Sequence, residues 1–122
     1  MPRTHVLFYQ EHDGTVPVLD WFDSLGDKAR AKSLVRIERL KELGHQLRRP
    51  EADYLRDGVY ELRVSFQGIH HRILYFFHGH AVAVLSHGLV KERAIPPKEI
   101  ELARLRKNRF EADPEGHTYG EG

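Results

Sequence analysis

The chain has no cysteine among its 122 residues, which excludes disulfides, a thiol nucleophile and Cys-ligated zinc or iron–sulfur sites. A cytoplasmic location is the expectation that follows. No apolar run approaches the roughly 20 residues needed to cross a bilayer, and the N-terminus lacks the charged, apolar and small-residue order of a secretion signal, so no membrane partner is expected. Internal repeats and low-complexity tracts are absent too. A second domain with its own core has no room in this length.

What the chain does have is charge, at 30% of residues, beside 40% hydrophobic residues, enough to build one core. The net charge of +1 conceals an asymmetry. Glu111, Asp113, Glu115 and Glu121 fall in the last twelve residues, which hold no Lys or Arg, leaving 19 bases against 14 acids in residues 1–110, a net +5. The expected organisation is a domain over residues 1–110 and an acidic, flexible tail over 111–122. A basic body favours a polyanionic partner such as nucleic acid, although +5 also suits an ordinary solvated surface.

Val6-Leu7-Phe8-Tyr9 reads as a first strand. Pro17 near a helix start, with Val18, Leu19, Trp21, Phe22 and Leu25 as an apolar stripe, predicts a helix stopped by Gly26. A second helix is expected from Asp27 as N-cap to Leu43, with Leu34, Ile37, Leu40 and Leu43 inward and Gly44 closing it. Residues 45–58 read as a connecting loop. From Val59 to Phe66 the alternation is period-two, with Tyr60, Leu62, Val64 and Phe66 on one face and Glu61, Arg63 and Ser65 on the other. Strands over 70–77 and 81–90 follow, then a helix opened by Pro96-Pro97. The order β-α-α-β-β-β-α predicts an α+β two-layer domain with helices on one face of a twisted, mostly antiparallel sheet. Paired as sequential neighbours, its strands bring Arg63, Arg72, Lys91 and Arg93 together in a positively charged groove.

Several ordered motifs resemble the phage-derived, HigB-type branch of the RelE/ParE toxin superfamily. They are Tyr60-Glu61-Leu62-Arg63, His71-Arg72-Ile73-Leu74-Tyr75-Phe76, Leu85-Ser86-His87-Gly88-Leu89-Val90-Lys91, and Glu99-Ile100-Glu101-Leu102-Ala103 after the two prolines. Pro17-Val18-Leu19-Asp20-Trp21 and Asp27-Lys28-Ala29-Arg30 also look like that branch's opening helices, so the resemblance spans about residues 5–107. It implies the RelE-like fold and a toxin of a type II toxin–antitoxin pair, partnered by an antitoxin with a helix-turn-helix domain. Many such toxins inhibit translation by cutting mRNA on the ribosome without a metal, whereas ParE-like members bind DNA gyrase. Metal-free cleavage uses the ribose 2′-OH as nucleophile, so the protein must move two protons and stabilise extra charge on the phosphate.

On this resemblance Arg72 is the arginine at the scissile phosphate, with Arg63 and Lys91 as further catalytic or phosphate-binding bases. The same bases would also serve as cross-strand partners on a solvated face. Where some relatives carry a catalytic tyrosine or an acidic–aromatic pair, this chain has Pro96-Pro97-Lys98-Glu99. Proton transfer then falls to His87, or to His71, Glu92 or Lys91. Arg93, Arg104 and Lys107 are candidate RNA contacts, the last two also suiting a helix C-terminal dipole. His78 and His80 flank a turn with no carboxylate to complete a site, so no metal and no cofactor are expected. Three function classes stay open: an mRNA endoribonuclease, a gyrase-binding toxin, and a catalytically degenerate remnant that only binds an antitoxin or RNA. The tail, with its four acids, is also expected to fold over the basic groove and screen it.

Overall fold

A computed structural model describes residues 3–91 and 93–120. Glu92 and Glu121 of the sequence reading lie outside the described residues. The elements run β1 (His5–Phe8), α1 (Pro17–Asp23), α2 (Asp27–Leu43), a 3-10 turn (Gly44–Gln46), β2 (Ala52–Arg56), β3 (Val59–Phe66), β4 (Ile69–His78), β5 (Val82–Val90), α3 (Pro97–Ala112) and a second 3-10 turn (Glu115–His117). The α+β class and the open, mostly antiparallel sheet are as expected. Its order is β1-β5-β4-β3-β2, and the β1–β5 pair is parallel. No helix among the described residues is long and apolar enough to cross a membrane.

The segment expected to be a loop contains β2, paired antiparallel with β3. Asp57 and Gly58 take φ values of 54° and 81°, the left-handed pair that a tight hairpin turn requires, and Gln67-Gly68 repeats this between β3 and β4. α2 starts as predicted, but Gly26 occupies the N-cap position, with no side chain capping the helix. Leu34, expected inward, is exposed because the buried stripe is Ala29, Ser33, Ile37 and Leu40.

The placement of α3 departs from the expected one-sided arrangement of helices. Val18 and Phe22 of α1 and Ile37 and Leu40 of α2 pack on Leu62, Ile73, Tyr75, Phe77 and Leu85. Ile100 and Ala103 of α3 instead meet Val59 and Leu74, and Phe110 meets Phe76 and Val84. Successive β4 residues point to opposite faces, so Ile73, Tyr75 and Phe77 face α1 and α2 while Leu74 and Phe76 face α3. β4 is apolar on both sides, and each side needs a cover.

The acidic tail is also placed differently from expectation. Beyond α3 the chain folds back along β1: the Gln10 N–H donates to the His117 carbonyl, the Tyr119 N–H donates to the Phe8 carbonyl, and Tyr9 bridges Thr118. His117 is buried and stacks on Tyr9 with ring centroids 5.0 Å apart. The segment closes the β1 edge, at the end of the sheet away from β2 and β3.

A chain ending at Ala112 uncovers Tyr9, and its urea unfolding free energy is expected to drop by roughly 1–3 kcal/mol. Its affinity for RNA and the salt dependence of that affinity should match the full chain, because Asp113 and Glu115 belong to the segment along β1, at the opposite sheet edge from the arginines. A Cβ at Gly88 would run into the ring of Trp21. Gly88→Ala is therefore expected to cost about 1–3 kcal/mol by overpacking and to shift the fluorescence of Trp21, the chain's one tryptophan.

Candidate active site

The β3–β4 register sets Arg63 directly opposite Arg72, Ser65 opposite His70 and Glu61 opposite Leu74. All these residues project from the α3 side of the sheet, and all but Leu74, which packs on α3, stand at the end that α3 leaves uncovered. Two like charges facing each other across a ladder repel. Glu61 relieves this: its carboxylate lies 3.0 Å from Arg72 Nε and 3.4 Å from Arg63 Nε. Arg72 and Glu61 are both buried, at 5% and 4% exposure, so neither charge is hydrated enough to stand alone. Removing the carboxylate would leave Arg72 uncompensated, a loss of about 3–5 kcal/mol for a buried pair.

The Arg72 Nε–H is not aligned for a hydrogen bond, and Glu61 Oε1 has no hydrogen-bond partner among the described residues. Burial pushes the Glu61 carboxyl above its ordinary range, with Asp53 acting in the same direction and Arg72 and Arg63 against it. Asp53 is held below its ordinary range chiefly by its hydrogen bond from Arg49, at 2.9 Å.

Around this centre lies a cleft of about 460 Å³ lined by Arg49, Arg56, Arg63, Arg72 and Arg93, with Glu61 and Asp53 as its acids and Ile95 and Ile100 as apolar wall. A second recess of about 310 Å³ is lined by Pro50, Arg63, Ser65, His70 and Arg72. Arg63 and Arg72 line both recesses. Such a surface, arginine-rich and concave, suits a phosphodiester chain, because guanidinium forks match phosphate oxygens and keep their charge at any physiological pH.

Of the residues singled out in the sequence, Arg72, Arg63 and Arg93 meet in the cleft. Lys91 is exposed just past β5, where its backbone N–H donates to the His70 carbonyl, and it does not line either recess. Arg104 pairs with Glu101 and Lys107 with Glu111, each along α3 and outside both recesses. His71 faces the other side of the sheet, edge-on to Trp21.

His87 is not brought to the arginines. A bulge in the β4–β5 ladder leaves Ser86 as an extra residue between the Leu74–His87 and Tyr75–Leu85 pairs, so Ser86 and His87 both reach α3. Arg106 Nη1 lies 3.2 Å from His87 Nδ1, Ser86 Oγ 2.8 Å from the same nitrogen, and Glu99 Oε1 2.9 Å from Nε2. Arginine only donates, so Nδ1 accepts and Nε2–H donates to Glu99. Arg106 also donates to Glu11 at 3.1 Å. Burial and the Arg106 charge push the His87 imidazole below its ordinary value, against the pull of Glu99. With both nitrogens engaged, this histidine ties α3 to β5.

Arg49 and Arg56 were not singled out in the sequence, and His70 was placed on the face of Arg72 without being taken as a candidate. The Asp57-Gly58 pair was a usable hairpin signal that would have revealed β2 and with it the two arginines. For His70 the alternation with Arg72 along β4 already gave the face, and the pairing with Ser65 across the ladder adds its neighbour.

The family model for phage-derived Gp49-like proteins (DUF891) matches residues 20–108, most of the chain and all of β2, β3, β4 and β5. The chain belongs to the Gp49-like family. This family falls in the RelE/ParE-like toxin fold group and is consistent with a toxin of a toxin–antitoxin pair, which implies an antitoxin partner. No curated protein matches the chain.

The neutral, buried His87 makes stability depend on pH. Its folded-state value lies below its unfolded value, near 6.5, so the unfolded chain binds more protons there and stability falls as pH drops through and below about 6.5. His71, lowered by burial, acts in the same direction. Urea midpoints are expected to fall between pH 7.5 and pH 5.5, and His87→Gln should flatten that slope while lowering the midpoint at pH 7.5.

Proposed function

We propose that this Gp49-like protein is a HigB-type toxin that cuts mRNA on the ribosome, without a metal, by attack of the ribose 2′-OH on the adjacent phosphate. The observation that carries this reading is the opposed pair Arg63 and Arg72, joined to Arg49, Arg56 and Arg93 in one cleft at the position the resemblance gives to the scissile phosphate. Attack forms the 2′-O–P bond and breaks the P–5′-O bond, leaving a 2′,3′-cyclic phosphate and a 5′-hydroxyl. The phosphorane between these states gains charge on its equatorial oxygens, and fixed guanidiniums stabilise that charge more than the ground state. Glu61 keeps Arg72 in place before the RNA arrives, so little reorganisation is left for the reaction itself. Such a toxin works in the cytoplasm under the control of a helix-turn-helix antitoxin, with Arg93 and the wall arginines gripping the RNA backbone. Lys91, Arg104 and Lys107, outside both recesses, are further candidate contacts to ribosomal or messenger phosphates. His87 serves this site through the seating of α3.

The test is growth and primer-extension mapping of a reporter mRNA after induced expression of the wild-type chain and of Arg72→Ala, each checked for folding by circular dichroism. Arrest with new mRNA 5′ ends, both lost or reduced at least about 100-fold in a folded Arg72→Ala protein, is expected from loss of a donor to the developing charge. Arrest with intact mRNA would point to the gyrase-binding reading, and no arrest to a degenerate remnant.

A further inference from the structure

Along the α3 side of the β3–β4 ladder the polar groups stand in three successive rungs: Glu61, then Arg63 facing Arg72, then Ser65 facing His70. The rungs are two residues apart on each strand, so Glu61 and His70 lie about 13 Å apart at roughly 3.3 Å per residue, with the arginine pair midway. Glu61 lines the larger recess, His70 the smaller, and the two arginines line both. A phosphate held by Arg63 and Arg72 therefore has one ionisable side chain on either side of it. In-line displacement at phosphorus needs that layout, because the attacking and departing oxygens occupy opposite apices.

We infer that Glu61 and His70 form the proton-transfer pair of this cleft, Glu61 accepting the proton of the ribose 2′-OH and His70 donating one to the departing 5′-oxygen. The inference rests on the endoribonuclease reading above. Glu61 lines the larger recess, and its Oε1, buried 3.0 Å from Arg72 Nε, makes no hydrogen bond among the described residues, which leaves this carboxylate with acceptor capacity unused. Burial raises this carboxyl toward the range of a working base, with Asp53 of β2 reinforcing the shift and Arg63 and Arg72 opposing it. His70 is held by Ser65 Oγ, 3.1 Å from Nδ1, and no protein atom among the described residues bonds Nε2. Its neighbours in the recess are Ser65, Arg63 and Arg72. As the 2′-O–P bond forms, the 2′ proton passes to Glu61; as the P–5′-O bond breaks, the proton of a charged His70 goes to the leaving oxygen. Exchange with solvent then removes the proton taken up by Glu61 and restores the one given up by His70.

The experiment compares two ribosome-programmed RNAs that differ at one atom, the natural 5′-oxygen or a 5′-sulfur at the cleaved bond. Sulfur departs as a thiolate and needs no proton. His70→Gln is expected to slow cleavage of the oxygen RNA about 100-fold or more, and to cut the sulfur RNA within a few-fold of the wild-type rate. Glu61→Gln should slow both RNAs alike and abolish the fall in rate that the wild type shows as pH drops. Because Glu61 also balances Arg72, Glu61→Asp is measured beside it, keeping the charge but shortening its reach. Slow cleavage of both RNAs by a Glu61→Asp chain with an unchanged unfolding midpoint supports the base.

Wild-type rates in His70→Gln, or equal slowing on both RNAs, would overturn the role of His70. An acidic fall in rate that persists in Glu61→Gln would reduce Glu61 to holding Arg72. A wild-type chain that leaves both RNAs whole removes the endoribonuclease reading itself. A cutting wild type with variants that miss these patterns removes only the proton pair.

Discussion

β4 is apolar on both of its faces from Ile73 to Phe77, and this constraint organises the protein. A central strand buried twice has to be covered twice, by α1 and α2 over Ile73, Tyr75 and Phe77 and by α3 with the returning C-terminal segment over Leu74 and Phe76. Fully burying each such side chain contributes about 1.5–3 kcal/mol relative to exposure, so the double cover outweighs any individual surface ion pair. The cover on the α3 side stops before Arg72. What remains beyond it is a polar end of an otherwise apolar sheet face, walled by β2 and by residues 93–95.

At that end electrostatics replaces hydrophobic burial as the ordering force. The ladder register forces Arg63 and Arg72 together, and one buried carboxylate, Glu61, holds both. A pair of arginines kept in place by an internal acid costs stability in the free protein unless the charges remain matched, yet it presents two fixed donors to an incoming phosphate. The Ser86–His87–Glu99 and Arg106–Glu11 contacts seat α3, which makes the far wall of the same face. Scaffold and site therefore share one sheet face, divided by where α3 ends its contact.

Much of this was legible in the chain. Period-two alternation over residues 59–66 placed Glu61, Arg63 and Ser65 on one face, and the turn residues separated three strands near their observed bounds. The unbroken apolar run from Ile73 to Phe77 also carried the signal that α3 must lie opposite α1 and α2, since a strand covered on one side alternates and a strand covered on both does not. β2 was harder to see because five residues with mixed polarity show little period, and their pairing depends on the Asp57-Gly58 turn. The two histidines are placed differently for a reason no spacing reveals. The extra residue at Ser86 turns His87 into the α3 contact, while unbroken alternation keeps His70 beside Arg72.

By itself the sequence determined the α+β class, the order of the strands and helices other than β2, the absence of thiol chemistry and the two arginines that face one another, because each follows from local composition or from a period of two or 3.6 residues. Only the tertiary structure decided which charges meet. The side of the sheet taken by α3, the docking of the acidic tail along β1, and the partners of Glu61, His70 and His87 depend on contacts between residues far apart in the chain. Their energies come from burial and charge matching across elements, which no local pattern encodes.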